Sequence, residues 1–152
     1  MPLPEVIPIA REAGYHTDTI GTYADGQFYA SFHGTHHGDP GIGGLGPTQW
    51  YVYLHRFDRA GTYVSSEFRL IATGERLTPA EREDGEQQLT ALLESLDGLV
   101  FGDIAVKPFR IEYQGVVFGL IDESEERDGQ AWAELYPDGL GFSEPWTGEY
   151  DT

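Results

Sequence analysis

Residues 78–98, TPAEREDGEQQLTALLESLDG, form the one long stretch of this chain with a clear helical pattern. Thr78 suits the N-cap, Pro79 suits the first helical position, and the Glu81 carboxylate can reach back to the cap, which together predict a capping box. Gly98 favours a helix end. Four leucines recur at helical spacing and predict one apolar stripe: Leu89, Leu92, Leu93 and Leu96. We expect this stripe to pack on a sheet, because an exposed stripe would not hold the helix.

The segments on both sides of the helix alternate apolar and polar residues, as β-strands do, and turn residues separate them. Asp25-Gly26 and Gln114-Gly115 are typical of tight hairpin turns. Eight strands are predicted, at residues 18–23, 27–33, 49–58 and 62–71 before the helix and at 104–107, 109–113, 116–122 and 132–136 after it. The order ββββ–α–ββββ predicts an α+β fold of mostly antiparallel sheet with one packed amphipathic helix.

The 152 residues are expected to form a single domain, residues 1–152, which is large enough to bury a sizeable core without disulfides. Prolines at 2, 4 and 8 predict an extended N-terminal arm over residues 1–14. Residues 137–152 are rich in Gly and Pro but contain aromatic side chains, which predicts a tail docked on the body. The chain has no cysteine, no apolar run of about 20 residues and no signal peptide, so we expect a cytoplasmic protein with no membrane partner.

The strand at 49–58 has two apolar or aromatic faces, which predicts a central position in the sheet. One face carries Trp50, Val52 and Leu54, and the other carries Tyr51, Tyr53, His55 and Phe57. The tyrosine face, with Tyr63 and Phe68 from the next strand, either packs in the core or lines a pocket or peptide groove. Core packing is the favoured interpretation.

Charge is the most unusual property of the composition: 26 acidic and 9 basic residues give a formal net charge of −17. Direct binding to nucleic acid is disfavoured, because affinity for phosphates comes from Lys and Arg contacts. The excess charge either keeps the protein soluble and monomeric or forms an acidic face that attracts a basic protein. The sequence does not set the oligomeric state.

The segment 34–48, GTHHGDPGIGGLGPT, is predicted to be a loop because glycine and proline interrupt all periodicity. Imidazole nitrogens can bind divalent transition metals, and the histidines in and near this loop are the candidate ligands: His33, His36, His37 and His55. Gly41, Gly43 and Gly46 match the spacing of a dinucleotide-binding loop, but the flanking prolines exclude the strand and helix that such a loop requires.

No catalytic residue is predicted. The serines lack the context of an activated nucleophile. Glu112 and Glu134 could lie near one another across strands, as the carboxylates of a glycosidase do, but a chain with 26 acids is expected to contain such a pair by chance.

Six segments occur near the chain ends and after the helix: PEVIPIA (4–10), AGY (13–15), GDIAV (102–106), GVVFGLIDE (115–123), WAELYPDGLGF (132–142) and PWTGEYDT (145–152). They resemble a group of short actinobacterial proteins labelled formate hydrogenlyase regulatory protein. The resemblance implies a regulator that acts by contacting another protein, and it assigns no catalytic or binding residues. The loop at 33–48 is not part of the shared pattern.

The predicted function is therefore that of a small acidic regulatory or interaction protein, non-enzymatic, which binds a basic protein through an acidic and aromatic surface. The acidic segment DESEERDG (122–129), otherwise a solvated turn, and the tail supply the candidate partner-binding residues: Asp122, Glu123, Glu125, Glu126, Trp146 and Tyr150. The alternative is a metal- or small-ligand-binding protein organised on the histidine and glycine loop. Apart from that metal, no cofactor is predicted.

Overall fold

The computed structural model describes residues 3–36 and 48–152 and contains one helix and eleven strands there. Five strands precede the helix: β1 (Ile7–Ile9), β2 (Ile20–Tyr23), β3 (Gly26–His36), β4 (Thr48–Phe57) and β5 (Tyr63–Thr73). The helix is α1 (Pro79–Glu94), and six strands follow it: β6 (Val100–Phe101), β7 (Ile104–Val106), β8 (Phe109–Tyr113), β9 (Val116–Asp122), β10 (Ala133–Tyr136) and β11 (Leu140–Phe142).

The predicted α+β class is confirmed, because every strand pairing in the described part of the chain is antiparallel. The prediction of eight strands missed β1, β6 and β11. Each of these strands has only two or three residues, too few to show an alternating pattern. The predicted loop at 34–48 is also too long at both ends, because β3 continues to His36 and β4 begins at Thr48.

The strands form three sheets. A five-stranded sheet has the order β5-β4-β3-β2-β6, a four-stranded sheet has the order β11-β10-β9-β8, and β1 pairs with β7 in a two-stranded ribbon. The long β4 is an interior strand, flanked by β5 and β3, as its two apolar faces predicted. In the described ranges no helix has the length and apolar character needed to cross a bilayer.

The helix covers one face of the five-stranded sheet. The capping box is present as predicted: the Glu81 N–H donates to the Thr78 hydroxyl at 3.1 Å, and the Thr78 N–H donates to the Glu81 carboxylate at 2.9 Å. The leucine stripe packs on the sheet in a cluster whose buried members are Phe28, Ala30, Val52, Leu54, Leu92 and Leu96. None of these six buried side chains carries a polar atom.

Gly85 lies in the middle of α1, where glycine normally costs about 1 kcal/mol relative to alanine. It is buried, and a Cβ at this position would overlap the ring of Phe32 on β3. The glycine therefore allows the helix to approach the sheet closely at the end of β3 that extends beyond β2.

The other face of the five-stranded sheet packs on the four-stranded sheet and on the β1–β7 ribbon. Stacked rings join the neighbouring edges: Tyr63 on Phe109 and Phe68 on Tyr113, with centroids 5.0 and 4.2 Å apart. The buried residues of this second layer include Ile7, Ile9, Tyr29, Tyr51, Tyr53, Phe57, Ile104, Val106, Phe118, Leu120, Leu135 and Phe142. Burial of Tyr51, Tyr53 and Phe57 agrees with the favoured interpretation of the tyrosine face as core.

Both chain ends contact this layer. The predicted N-terminal arm contains β1, and Ile7 and Ile9 on it are completely buried. In the tail, Trp146 and Tyr150 pack against the core, and the Gly141 and Asp151 backbones exchange two hydrogen bonds of 2.8 and 2.9 Å. The tail is thus docked, with β11 as part of a sheet.

Candidate ligand-binding cleft

A cleft of about 450 Å³ opens beside the far end of β3, where three parts of the chain converge on the sheet. The N-terminal segment before β2 and the helix form its walls, and the turn between β10 and β11 forms its floor. Its lining residues are Tyr15, His16, Asp18, Thr19, Ser31, Phe32, His33, Glu86, Leu89 and Asp138.

The cleft exists because β3 is longer than its neighbour β2. The β2–β3 pairing covers residues 26–29 of β3, and Thr19 adds one more pair: the Ala30 N–H donates to the Thr19 carbonyl at 3.0 Å. The chain before Thr19 then leaves the sheet. Among the described strands, none pairs with the β2 side of β3 beyond Ala30.

Phe32 has its backbone N–H and C=O on this open edge. In an antiparallel ladder the N–H and C=O of one residue point to the same neighbouring strand, and residues two apart point the same way. Because Ala30 bonds towards Thr19 and the β3–β4 register is continuous, the Phe32 groups point into the cleft. The equivalent carbonyl of Gly34 accepts a 2.6 Å hydrogen bond from Nδ1 of His33.

The floor of the cleft is formed by the carboxylate of Asp138, which lies in the turn between β10 and β11. The hydroxyl of Tyr29 donates to Oδ2 at 2.7 Å, and the hydroxyl of Tyr53 donates to Oδ1. Gly139 shapes the turn with φ of 72°, and its N–H donates to the Leu135 carbonyl at 2.8 Å. Two tyrosines from one sheet thus hold a carboxylate from the other.

Both tyrosines are fully buried and stay protonated. Burial is the main cause that raises the pKa of Tyr29 and of Tyr53 well above 10, and the charge of Asp138 raises both further. The two hydroxyls therefore act as fixed hydrogen-bond donors to the carboxylate throughout the ordinary pH range.

Asp138 forms no ion pair with any described side chain: no Lys, Arg or His of residues 3–35 and 48–152 lies within 4.0 Å of its carboxylate in a salt bridge. Asp18, on the cleft wall, differs in this respect, because Arg11 pairs with it at 3.0 Å. The floor of the cleft consequently carries a negative charge that the described chain does not neutralise.

The walls combine charge with apolar surface. Glu86 is exposed near the middle of α1. Leu89 and Phe32 line the cleft with apolar surface. His16 and His33 complete the rim. A cleft with a carboxylate floor, a second carboxylate on the wall and apolar surface between them fits a cationic side chain with an aliphatic stem, such as lysine or arginine.

The predicted metal ligands do not come together in the described part of the chain. Tyr29 is opposite His55 and Tyr51 is opposite His33 in the β3–β4 register, so the two histidines are four residues apart, about 13 Å along the strands. The described residues contain no group of three His, Cys, Asp or Glu side chains that could hold a metal ion. His37 and the side chain of His36 lie outside the described residues, so the metal site stays a prediction.

His55 is a buried core residue surrounded by aromatic rings. Its Nδ1 lies 2.6 Å from the Ser66 hydroxyl, and its Nε2 is buried without a hydrogen-bond partner among the described residues. Burial lowers the pKa of His55 from 6.5 to about 3. The neutral imidazole packs against rings from five other residues on both sheets within 6.3 Å: Tyr29, Tyr53, Phe68, Phe109 and Phe118.

The predicted acidic segment begins at Asp122, the last residue of β9, and continues into a short 3-10 helix, Ser124–Arg127. The Asp122 carboxylate accepts hydrogen bonds from the Ser124 hydroxyl and N–H, which lower its pKa. Glu123 accepts from the Tyr136 hydroxyl. Glu125 and Glu126 are exposed.

The two aromatic residues of the tail, which were predicted to bind a partner together with these acids, pack against the core. Trp146 and Tyr150 are both partly buried there. The partner-binding role of all six predicted residues stays a prediction.

The carboxylates of Glu112 and Glu134 are not a pair. They align with Val117 and Ile121 of β9, four residues apart and thus about 13 Å along the strand. Each has its own arginine, Arg110 at 2.8 Å and Arg127 at 4.0 Å.

Sequence reasoning missed the residues that form the cleft, chiefly Asp138, Glu86 and the free edge at Phe32. One signal was present. Tyrosines at 51 and 53 on a strand with two apolar faces place hydroxyls inside a core, and buried hydroxyls require partners. Asp138 in the turn PDG was a candidate for that partner, although its position relative to the strands could not be read from the sequence.

Comparison with known proteins adds no relatives: no protein-family model, no curated protein and no solved structure matches this chain. The resemblance to the actinobacterial proteins labelled formate hydrogenlyase regulatory protein therefore stays a prediction.

Proposed function

We propose that this protein is a binding protein for a basic segment of another protein, and that it takes a lysine or arginine side chain into the cleft beside β3. The observation that carries the proposal is the Asp138 carboxylate, which two tyrosine hydroxyls hold on the cleft floor and no described cation neutralises. A charged group that is partly withdrawn from water is stabilised by a cation that pairs with it.

The charge of the whole chain supports the same partner. With a net charge of −17, the protein attracts cations over long distances and repels anions, so encounters with a basic partner are accelerated at low salt. The cleft adds a carboxylate whose position is fixed by two hydrogen bonds from buried tyrosines, which a general acidic surface does not offer. Binding without a catalytic group is consistent with a regulator or inhibitor of that partner.

The cleft is a more specific candidate than the acidic segment at 122–129. Asp138 is held by two buried donors, whereas Glu125 and Glu126 project from a four-residue 3-10 helix into solvent. Exposed, flexible carboxylates contribute little to a single ion pair, typically less than about 1 kcal/mol.

The test is calorimetric titration with a lysine hexapeptide in about 50 mM and about 500 mM salt. We expect binding to the wild-type protein at low salt, strong weakening at high salt, and no binding of a glutamate hexapeptide. Asp138→Asn keeps groups that can bond to both tyrosines but removes the charge, and should weaken binding about tenfold, or about 1.4 kcal/mol.

Matched controls separate the cleft from the general charge. Glu149→Gln removes one exposed charge from the tail and should change affinity less than twofold. The double variant Glu125→Gln with Glu126→Gln tests the acidic segment. If that double variant loses binding and Asp138→Asn does not, the site is the acidic segment and the cleft assignment is wrong; if the hexapeptide does not bind at low salt, the function itself is wrong.

A further inference from the structure

The edge of β3 beyond Ala30, with which no described strand pairs on the β2 side, lies inside the same cleft as the carboxylates. Backbone N–H and C=O groups that face a cleft without a partner are the groups to which an extended peptide adds as a new strand. At Phe32 these groups point to the side on which β2 would continue if it were longer. Val64 and Leu70 are exposed on the edge strand β5, but neither lines the cleft that contains Asp138 and Glu86.

Resting on the proposed function, we propose that the basic partner binds in an extended conformation, as a short strand that continues the line of β2 and hydrogen-bonds to the backbone of Phe32. Successive side chains of the added strand then point to opposite faces of the sheet. A basic side chain on one face meets Asp138, and its neighbour on the other face meets Glu86.

The register of β3 determines this alternation. Ser31 and His33 share the face of Tyr29 and Tyr53, whose hydroxyls hold Asp138. Phe32 is on the face covered by α1, where its ring contacts the Gly85 position. A strand paired with β3 has the same two faces, because directly opposite residues point the same way.

The dimensions agree with a short segment. About 450 Å³ is within the range of sites that enclose small ligands, about 300–1,000 Å³, and is far too small for a folded domain. The chain before Thr19 leaves the sheet, so the edge of β3 beyond Ala30 has room for about three residues of an added strand, roughly 10 Å. The recognised motif is therefore two adjacent basic residues in an extended segment.

The test compares three lysine hexapeptides of equal charge. The first is unmodified; the second is N-methylated at every second residue, which leaves one edge able to donate hydrogen bonds; the third is N-methylated at every residue. We expect the second to bind within about threefold of the first and the third to bind at least about tenfold more weakly, because it cannot form the backbone bonds.

Amide hydrogen exchange provides a second readout on the protein itself. The Phe32 N–H should exchange more slowly when the unmodified peptide is added. The Ala30 N–H, which already bonds to Thr19, should change little. Equal affinity of all three peptides with no protection of Phe32 would overturn the strand mode and leave cation binding intact, whereas absence of binding by the unmodified peptide would remove the proposed function as well.

Discussion

The two faces of the five-stranded sheet are built from different chemistry. The face under α1 is covered by aliphatic and phenyl groups with no polar atom among its buried side chains. The face towards the second sheet carries three buried tyrosine hydroxyls, which are hydrogen-bonded, and the imidazole of His55, whose Nε2 has no hydrogen-bond partner among the described residues. The tyrosines are Tyr29, Tyr51 and Tyr53.

The two faces therefore stabilise the fold in different ways. The apolar face contributes buried area and close packing, with Gly85 of α1 directly against the ring of Phe32. A tyrosine hydroxyl bonded to Asp138, or to Gln114 at 2.9 Å as in Tyr51, fixes one sheet relative to the other. The polar face also leads to the cleft, because its hydroxyls end at the cleft floor.

The largest expected effect is on the apolar face. Leu54→Ala, at a completely buried position under α1, should lower the free energy of unfolding by about 2–5 kcal/mol, because it creates a cavity that the packed sheet cannot close. The measurement is urea denaturation. Leu70→Ala is the matched control, since Leu70 is 48% exposed and should lose far less; equal losses at the two positions would contradict a tightly packed helix face.

A pH-dependent effect is expected on the polar face, from His55. Its pKa is lowered to about 3 in the folded protein, so between that pH and 6.5 the unfolded chain binds a proton that the native protein does not. The contribution of His55 is complete above pH 6.5 and falls as the pH is lowered. Relative to His55→Gln, the wild-type protein should lose about 2.5 kcal/mol between pH 7 and pH 4.5.

The same urea titrations at several pH values test this prediction. His16→Gln is the control, because it replaces an exposed histidine and leaves the buried His55 in place. A parallel pH dependence of the wild type and His55→Gln would show that the imidazole is accessible to protons in the folded protein.

The smallest expected effect concerns the bond between the sheets. Tyr53→Phe removes one donor from Asp138 and should cost about 1–2 kcal/mol. A double-mutant cycle with Asp138→Ala, which removes the acceptor altogether, should give a coupling of about 1 kcal/mol, whereas the cycle of Tyr51→Phe with Asp138→Ala should be additive within about 0.5 kcal/mol. Coupling of equal size in both cycles would mean that the polar face responds as a whole and not through this bond.

Much of the local structure could be predicted because it depends on neighbours in the chain. Thr78, Pro79 and Glu81 form their cap within one helical turn, and the Asp25-Gly26 turn joins β2 and β3. The short strands β1 and β6 could not be predicted, because they have strand structure only through pairing with distant segments, and β11, which pairs with the neighbouring β10, has only three residues. Gly85 has the same character: its local effect opposes the helix, and only Phe32 explains it.

The cleft needed still more distant contacts. Tyr29 and Asp138 are 109 residues apart in the chain, and Tyr53 and Asp138 are 85 apart. The candidate metal ligands His33 and His55 were grouped because their strands were expected to pair. The strands do pair, but the register places the two histidines four residues apart along them. Register depends on the packing of whole strands, which the sequence did not reveal.

The sequence by itself determined the helix with its cap and stripe, the strand pairs next to tight turns, the antiparallel α+β class and the strongly negative charge. These features follow from residue order, local backbone geometry and composition. Only the tertiary structure decided that β3 extends past β2, that two buried tyrosines meet Asp138, and that a strand edge without a described partner strand lies beside this carboxylate. Those features arise from the packing of two sheets and a helix, whose relative positions no short stretch of residues encodes.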